Sequence, residues 1–71
     1  MRRYKLWEKR SIGGDFGAPI ERDAKSAHEA AEAHCKDRGY RTPTVYTNDT
    51  FKVQVNDGAR VFFHYIRVAK L

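Results

Sequence analysis

The sequence predicts an α+β domain over residues 1–71: a mostly antiparallel five-stranded sheet in the order β-β-α-β-β-β, with one helix packed on one face. Three observations predict it. An alanine-rich stretch, Ser26 to Arg38, has a capping pair at its start and Gly39 just past its end. Short segments on either side alternate apolar and polar residues with a period of two. The run Thr50 to Val68, TFKVQVNDGARVFFHYIRV, is broken only at Asn56-Asp57-Gly58, which reads as a hairpin turn.

Arg3 to Arg10 alternates, with Tyr4, Leu6 and Glu8 on one face and Arg3, Lys5, Trp7 and Lys9 on the other. Tyr4 and Leu6 are expected inward, which sets Trp7 outward between two lysines. Ser11 to Gly17 contains Gly13-Gly14-Asp15 and is expected to form a turn. Phe16, Ala18 and Ile20 then alternate with Gly17, Pro19 and Glu21, a second strand antiparallel to the first. Pro19 cannot donate to a ladder, so this strand belongs at an edge.

In the helix Ser26 and Glu29 have capping-box spacing. Ala27, Ala30, Ala31, His34 and Cys35 form one stripe. These small side chains let the helix approach the sheet closely, so the bulk of the core is expected from Leu6, Phe16, Ile20, Phe51, Val53 and Val55. Tyr40 is placed to fold back on the last turn. Thr42 to Thr47 is a short third strand with Val45 as its core residue, and Asn48-Asp49 turns into the hairpin.

Thr50 to Val55 has one apolar face, whereas Val61 to Val68 is apolar on both. A single helix cannot cover both rows of that last strand, so one row needs other cover or is left for a partner. A three-residue Asn56-Asp57-Gly58 loop pairs Val55 with Ala59 and sends Val61, Phe63 and Tyr65 to the helix side. Arg60, Phe62, His64 and Ile66 then share the open face with Lys52 and Gln54. A two-residue Asp57-Gly58 loop exchanges the two sets. The three-residue loop is the preferred reading.

Lys and Arg exceed Asp and Glu by 14 to 9, and the excess is segregated. Met1 to Arg10 carries five basic residues against Glu8 alone, and Thr50 to Leu71 four against Asp57, while Glu21 to Arg38 has four basic and five acidic. Basic strands beside a balanced helix suit a polyanionic or acidic partner met by the sheet. The plainer reading is a mildly basic, well-solvated surface. No apolar run has the length of a membrane span, MRRYK is not followed by a signal-peptide core, and Cys35 is alone; a soluble cytoplasmic protein is expected, with no membrane partner.

Chemistry-bearing motifs are sparse. Neither GxxxxGK[ST] nor GxGxxG accompanies the glycine pair. His34 and Cys35 diverge by roughly 100° around a helix and do not make a nucleophile and base by adjacency. His28 and Glu32 have i,i+4 spacing but lack further metal ligands. No enzyme activity, metal or cofactor is therefore expected. Lys5, Trp7 and Lys9 with Lys52, Arg60, Phe62 and His64 can instead stack bases and neutralise phosphates, or fill pockets on a protein. The competing reading has Trp7 packed inward and Phe62 buried by sheet curvature or by a dimer partner.

The basic character, the strand pair before a short Ala-rich helix, and the closing hairpin VNDGARVFF resemble small phage-encoded anti-CRISPR proteins. As layout the resemblance spans most of the chain; its local correspondence is the turn Asp57-Gly58-x-Arg60-Val61. It implies a non-catalytic inhibitor that binds an RNA-guided surveillance complex in a bacterial host cytoplasm, its basic side chains competing for the nucleic-acid-binding region. Arg3, Lys5, Trp7, Lys9, Lys52, Arg60, Phe62 and His64 are the expected binding residues, on a nucleoprotein complex or an acidic protein surface. A stand-alone DNA- or RNA-binding domain is the second reading, and a structural or homodimerising protein with Phe62 or Ile66 at its interface is the third.

Overall fold

The alternation of RRYKLWEK produces β1, Arg2–Lys9, and the hairpin run produces β4, Thr50–Asp57, and β5, Arg60–Lys70. Between them lie β2, Ile20–Ala24, α1, Ala27–Arg38, and β3, Thr44–Val45. The computed structural model describes residues 1–11 and 13–71; Ile12, inside the turn expected over Ser11 to Gly17, lies outside the described residues. The five strands form one sheet in the order β2-β1-β5-β4-β3, with every neighbouring pair antiparallel. The first and last strands are thus adjacent near the middle, so both ends of the chain contribute to the core.

α1 begins and ends as its sequence dictates. Ser26 Oγ accepts the Glu29 N–H at 3.1 Å, which satisfies one of the orphan donors of the first turn. Gly39 takes the left-handed conformation at φ 74°. Its N–H donates to Lys36 O, and the Tyr40 N–H donates to Cys35 O at 2.8 Å, the paired closure that a glycine at this position permits. Ala30, Ala31 and Cys35 are buried with Tyr4, Leu6, Ala24, Phe51, Val53, Ile66 and Val68 in one cluster.

Strand register sorts the sheet into two rows. Leu6 faces Val68 across β1–β5, Phe51 faces Ile66 and Val53 faces His64 across β4–β5, so the core residues of all three strands share one side. The other side carries Arg3, Lys5, Trp7 and Lys9 of β1, Val61, Phe63, Tyr65 and Arg67 of β5, and Lys52 and Gln54 of β4.

The hairpin differs from the preferred reading. Asp57 pairs with Arg60, leaving the two-residue loop Gly58-Ala59. Gly58 has φ 61° and Ala59 has negative φ, the pattern of a primed turn with glycine first, which matches the twist of the arms. Relative to the three-residue loop every side chain of β5 is inverted. Phe62, His64 and Ile66 therefore join Phe51, Val53 and Val55 on the core side, with Arg60 in the same row, while Val61, Phe63 and Tyr65 point the other way. Ile66 is fully buried, so it is neither on an open face nor available to a dimer interface.

Three other expectations change. The second strand runs over Ile20–Ala24 rather than Phe16 to Glu21: its ladder with β1 runs from Leu6–Ile20 to Arg2–Ala24, and Ala24 is buried. Alongside it Arg3 pairs with Glu21 at 3.0 Å and Asp23 at 3.2 Å, while Arg22 reaches Asp37 of α1 at 2.6 Å. Phe16 remains outside any strand, and neither it nor the exposed Ile20 enters the core. β3 is two residues long, and Val45 is 71% exposed: the core cluster ends at Phe51 and nothing in it reaches this sheet edge. Exchange of Ile66 for Lys is expected to cost at least as much as a core truncation, about 2–5 kcal/mol, while Phe63→Lys leaves the urea midpoint nearly unchanged. The three-residue-loop register requires the reverse ranking.

Candidate binding surface

The outer row interleaves rings with cations. Trp7 lies opposite Arg67 across β1–β5, and Lys9 opposite Tyr65. Lys5 Nζ stands 5.6 Å from the Trp7 ring centre, and the Arg67 guanidinium carbon 5.5 Å from the same ring. Lys9 Nζ lies 4.8 Å from the Phe16 ring and 5.8 Å from Tyr65, and Lys52 Nζ 4.3 Å from Phe63. Each exposed cation–ring contact is worth only about 0.5–1 kcal/mol, so the row is not held shut by them. What they fix is position: positive charge sits over the aromatic rings, with both Lys5 and Arg67 over Trp7.

Tyr65 is only 6% exposed, although it points to the outer side. Tyr46 covers it edge-on, ring centres 5.1 Å apart. The two-sided apolar character of β5 thus has two resolutions along its length: Tyr65 is covered from the β3–β4 connection, while Phe63 and Val61 stay exposed at 44% and 55%.

Of the expected binding residues, the fold brings Lys5, Trp7, Lys9 and Lys52 together on this side. Arg3 shares their row, but its guanidinium is engaged by Glu21 and Asp23, and those bonds hold its pKa above the ordinary arginine value. Arg60, Phe62 and His64 are on the opposite side, a correction that follows from the two-residue loop. Sequence reasoning missed Phe63, Tyr65, Tyr46 and Arg67. The signal for three of them was the hairpin parity; for Tyr46 there was none, since it follows the two-residue β3.

On the core side, His64 enters a different constellation. Glu8 projects from β1, and its Oε1 lies 2.8 Å from Nε2 of His34 on α1. Its Oε2 receives the Tyr40 hydroxyl at 2.8 Å and lies 2.8 Å from Nδ1 of His64 on β5. A carboxylate can only accept, so His34 carries its proton on Nε2 and His64 on Nδ1. Burial pushes the Glu8 carboxyl up, but hydrogen bonds from His34, Tyr40 and His64 outweigh it and hold the group down at about 2. The Tyr40 hydroxyl moves the other way, raised by burial and by its bond to the Glu8 charge.

The cluster joins β1, α1, Tyr40 and β5 through one carboxylate. Among the described residues no group of three or more His, Cys, Asp or Glu side chains has the geometry to hold a metal. Cys35 is buried, and burial, with the charges of Glu8 and Glu32, pushes its thiol up to about 12, which keeps it neutral and weakly nucleophilic. Beyond the cluster, Arg10, Val55, Phe62 and His64 help line a cleft of about 600 Å³ at the hairpin end. No family model, curated protein or solved structure matches the chain.

Because Glu8 is more acidic folded than at its ordinary value of 4.5, its contribution is complete above about pH 4.5 and is lost as pH falls from there through about 2, a loss of about 3 kcal/mol. Denaturant titrations between those limits are expected to show wild type losing about that much more stability than Glu8→Gln; parallel losses would contradict the network. Native-state alkylation of Cys35 at mildly alkaline pH is expected to be slow and to follow global unfolding as urea is added.

Proposed function

We propose that the chain is a non-catalytic binding protein that docks the outer row of its sheet on a nucleoprotein complex, with α1 packed over the other side and leaving that row free. One observation carries the reading: Trp7, Phe63 and Phe16 lie on one surface with Lys5, Lys9, Lys52 and Arg67 all within 4.3–5.6 Å of their ring centres. A base or an apolar group of a protein can take the place of the cation over a ring while the displaced ammonium or guanidinium meets a phosphate or carboxylate. The resemblance to anti-CRISPR inhibitors points the same way, to a small protein that obstructs an RNA-guided complex in a bacterial cytoplasm.

A nucleoprotein is favoured over naked nucleic acid by the local charge balance. Arg3 is paired with Glu21 and Asp23, and Arg67 with Asp49 at 3.4 Å. With two arginines of the outer row partly neutralised, that row releases fewer counterions on meeting phosphates, which weakens binding driven by charge alone. The stand-alone DNA- or RNA-binding reading is the alternative, and salt separates the two: it requires affinity for free strands that falls steeply with ionic strength.

The test is capture of partners from a bacterial host lysate with and without nuclease. Wild type is expected to retain a ribonucleoprotein that nuclease diminishes, and Trp7→Ala or the double change Lys5→Ser with Lys52→Ser is expected to lose at least tenfold, roughly 1.4 kcal/mol, in retention. Undiminished capture by both variants would reject this surface. Arg60→Glu, on the other side of the sheet, is expected to bind as wild type does.

A further inference from the structure

β5 is longer than the strand beside it. It pairs with β4 from Arg60 to Arg67, but its pairing with β1 ends at Lys9 and Tyr65. Arg60 to His64 therefore has a ladder on one edge only among the described residues. Which backbone groups are left follows from the turn. A two-residue loop closed by Asp57 and Arg60 makes that pair exchange both of its hydrogen bonds, and bonded pairs then recur at every second position: Val55 with Phe62, Val53 with His64. The intervening residues, Val61 and Phe63, direct N–H and C=O away from β4, and neither makes a backbone bond outside the ladder to a described residue.

Those two residues and Phe62 between them are three consecutive exposed apolar side chains; Phe62 is 40% exposed on the core side, past the end of the buried cluster. Val61 to His64 contains no Lys, Pro, Asp or Glu, the residues that usually blunt a free edge. We infer that this edge pairs with the same edge of a second copy of the chain, β5 against β5 antiparallel about a two-fold axis at Phe62.

The register selects a second copy over a foreign strand because the segment is complementary to itself. With Phe62 opposite Phe62, Val61 falls opposite Phe63 of the other copy and Phe63 opposite its Val61. These are the residues whose N–H and C=O have no partner among the described residues, so each pair closes two bonds and the interface closes four. The four outer side chains meet one another on the outer side and the two Phe62 rings meet on the core side, where cross-strand neighbours at a non-bonded position come closest. Directly opposed residues share a side of the sheet, so the pairing yields one ten-stranded sheet with both outer rows on the same side. The inference does not rest on the proposed function, but the doubled row would give an elongated partner twice the length of ring-and-cation surface.

Sedimentation velocity over a wide concentration range tests it. Wild type is expected to pass from the 8.2 kDa of one chain to twice that mass, and Phe62→Glu to stay at one. Because a substitution at the tip can disturb the hairpin itself, a synthetic chain N-methylated at Val61 provides the second arm: it removes only a donor that the monomer does not use. That chain is expected to keep the wild-type circular dichroism and to dimerise at least about tenfold more weakly. A wild type that stays at one mass throughout overturns the inference, and so does an N-methyl chain that dimerises as tightly as wild type, since the contact would then lie elsewhere. Both outcomes are independent of lysate capture by Trp7 and the lysines.

Discussion

The Glu8 carboxylate is the point on which the fold is fixed. It sits in the inward row of β1 among Tyr4 and Leu6, where an unpaired charge would be strongly destabilising, and it is tolerated because three donors from three places meet it: His34 from α1, Tyr40 from the residue after the helix stop, and His64 from β5. The alanine stripe of α1 supplies little shape of its own, since small side chains allow a helix to slide. A charged acceptor with fixed donors removes that freedom. It sets the helix against β1 and β5 at one height and, through His64, requires the parity of β5 that buries Ile66 and Val68.

The same parity decides what the other side of the sheet displays. Once His64 must reach Glu8, Phe63 and Tyr65 have to face outward, beside Lys52 and Lys9. The ring-and-cation row is thus not an independent feature of the surface. It is the complement of the buried network, and one residue of slip in the hairpin would exchange aromatic groups between core and surface. The length of β5 has a further consequence, because a strand apolar on both sides that outruns its neighbour leaves an edge as well as a face.

Much of this was legible in the sequence. The helix bounds, its caps at Ser26 and Gly39 and its inner stripe, the class of fold, and the outward setting of Trp7 follow from local chemistry that tertiary context did not override. What was not legible depended on parity or on partners distant in the chain. Asn56-Asp57-Gly58 supports two loop lengths, and the loop found, Gly58-Ala59, is neither but has the parity of the two-residue one. The burial of Ile66 and the Glu8–His64 contact go with that parity, which puts Arg60, Phe62 and His64 on the core side rather than the open one. The second strand is expected over Phe16 to Glu21 because apolar alternation is clearer there than in IERDA, whereas the ladder starts at Ile20 and its charged partners, Arg3 and Asp37, lie far along the chain. Glu8 itself was in plain sight, in the inward row and opposite a helix whose stripe carries His34, but a carboxylate at such a position reads as a strand end until its donors are known.

Commitment of one side of the sheet to this core leaves a half-buried indole in a cationic setting on the other. Trp7 is the only tryptophan, so its fluorescence reports that setting directly. Quenching by iodide and by caesium ions, compared at equal ionic strength, should differ strongly in favour of the anion, which Lys5 and Arg67 concentrate at the ring, and the difference should shrink when both are replaced by serine. Equal quenching by the two ions, or an indole that neither reaches, would contradict the account.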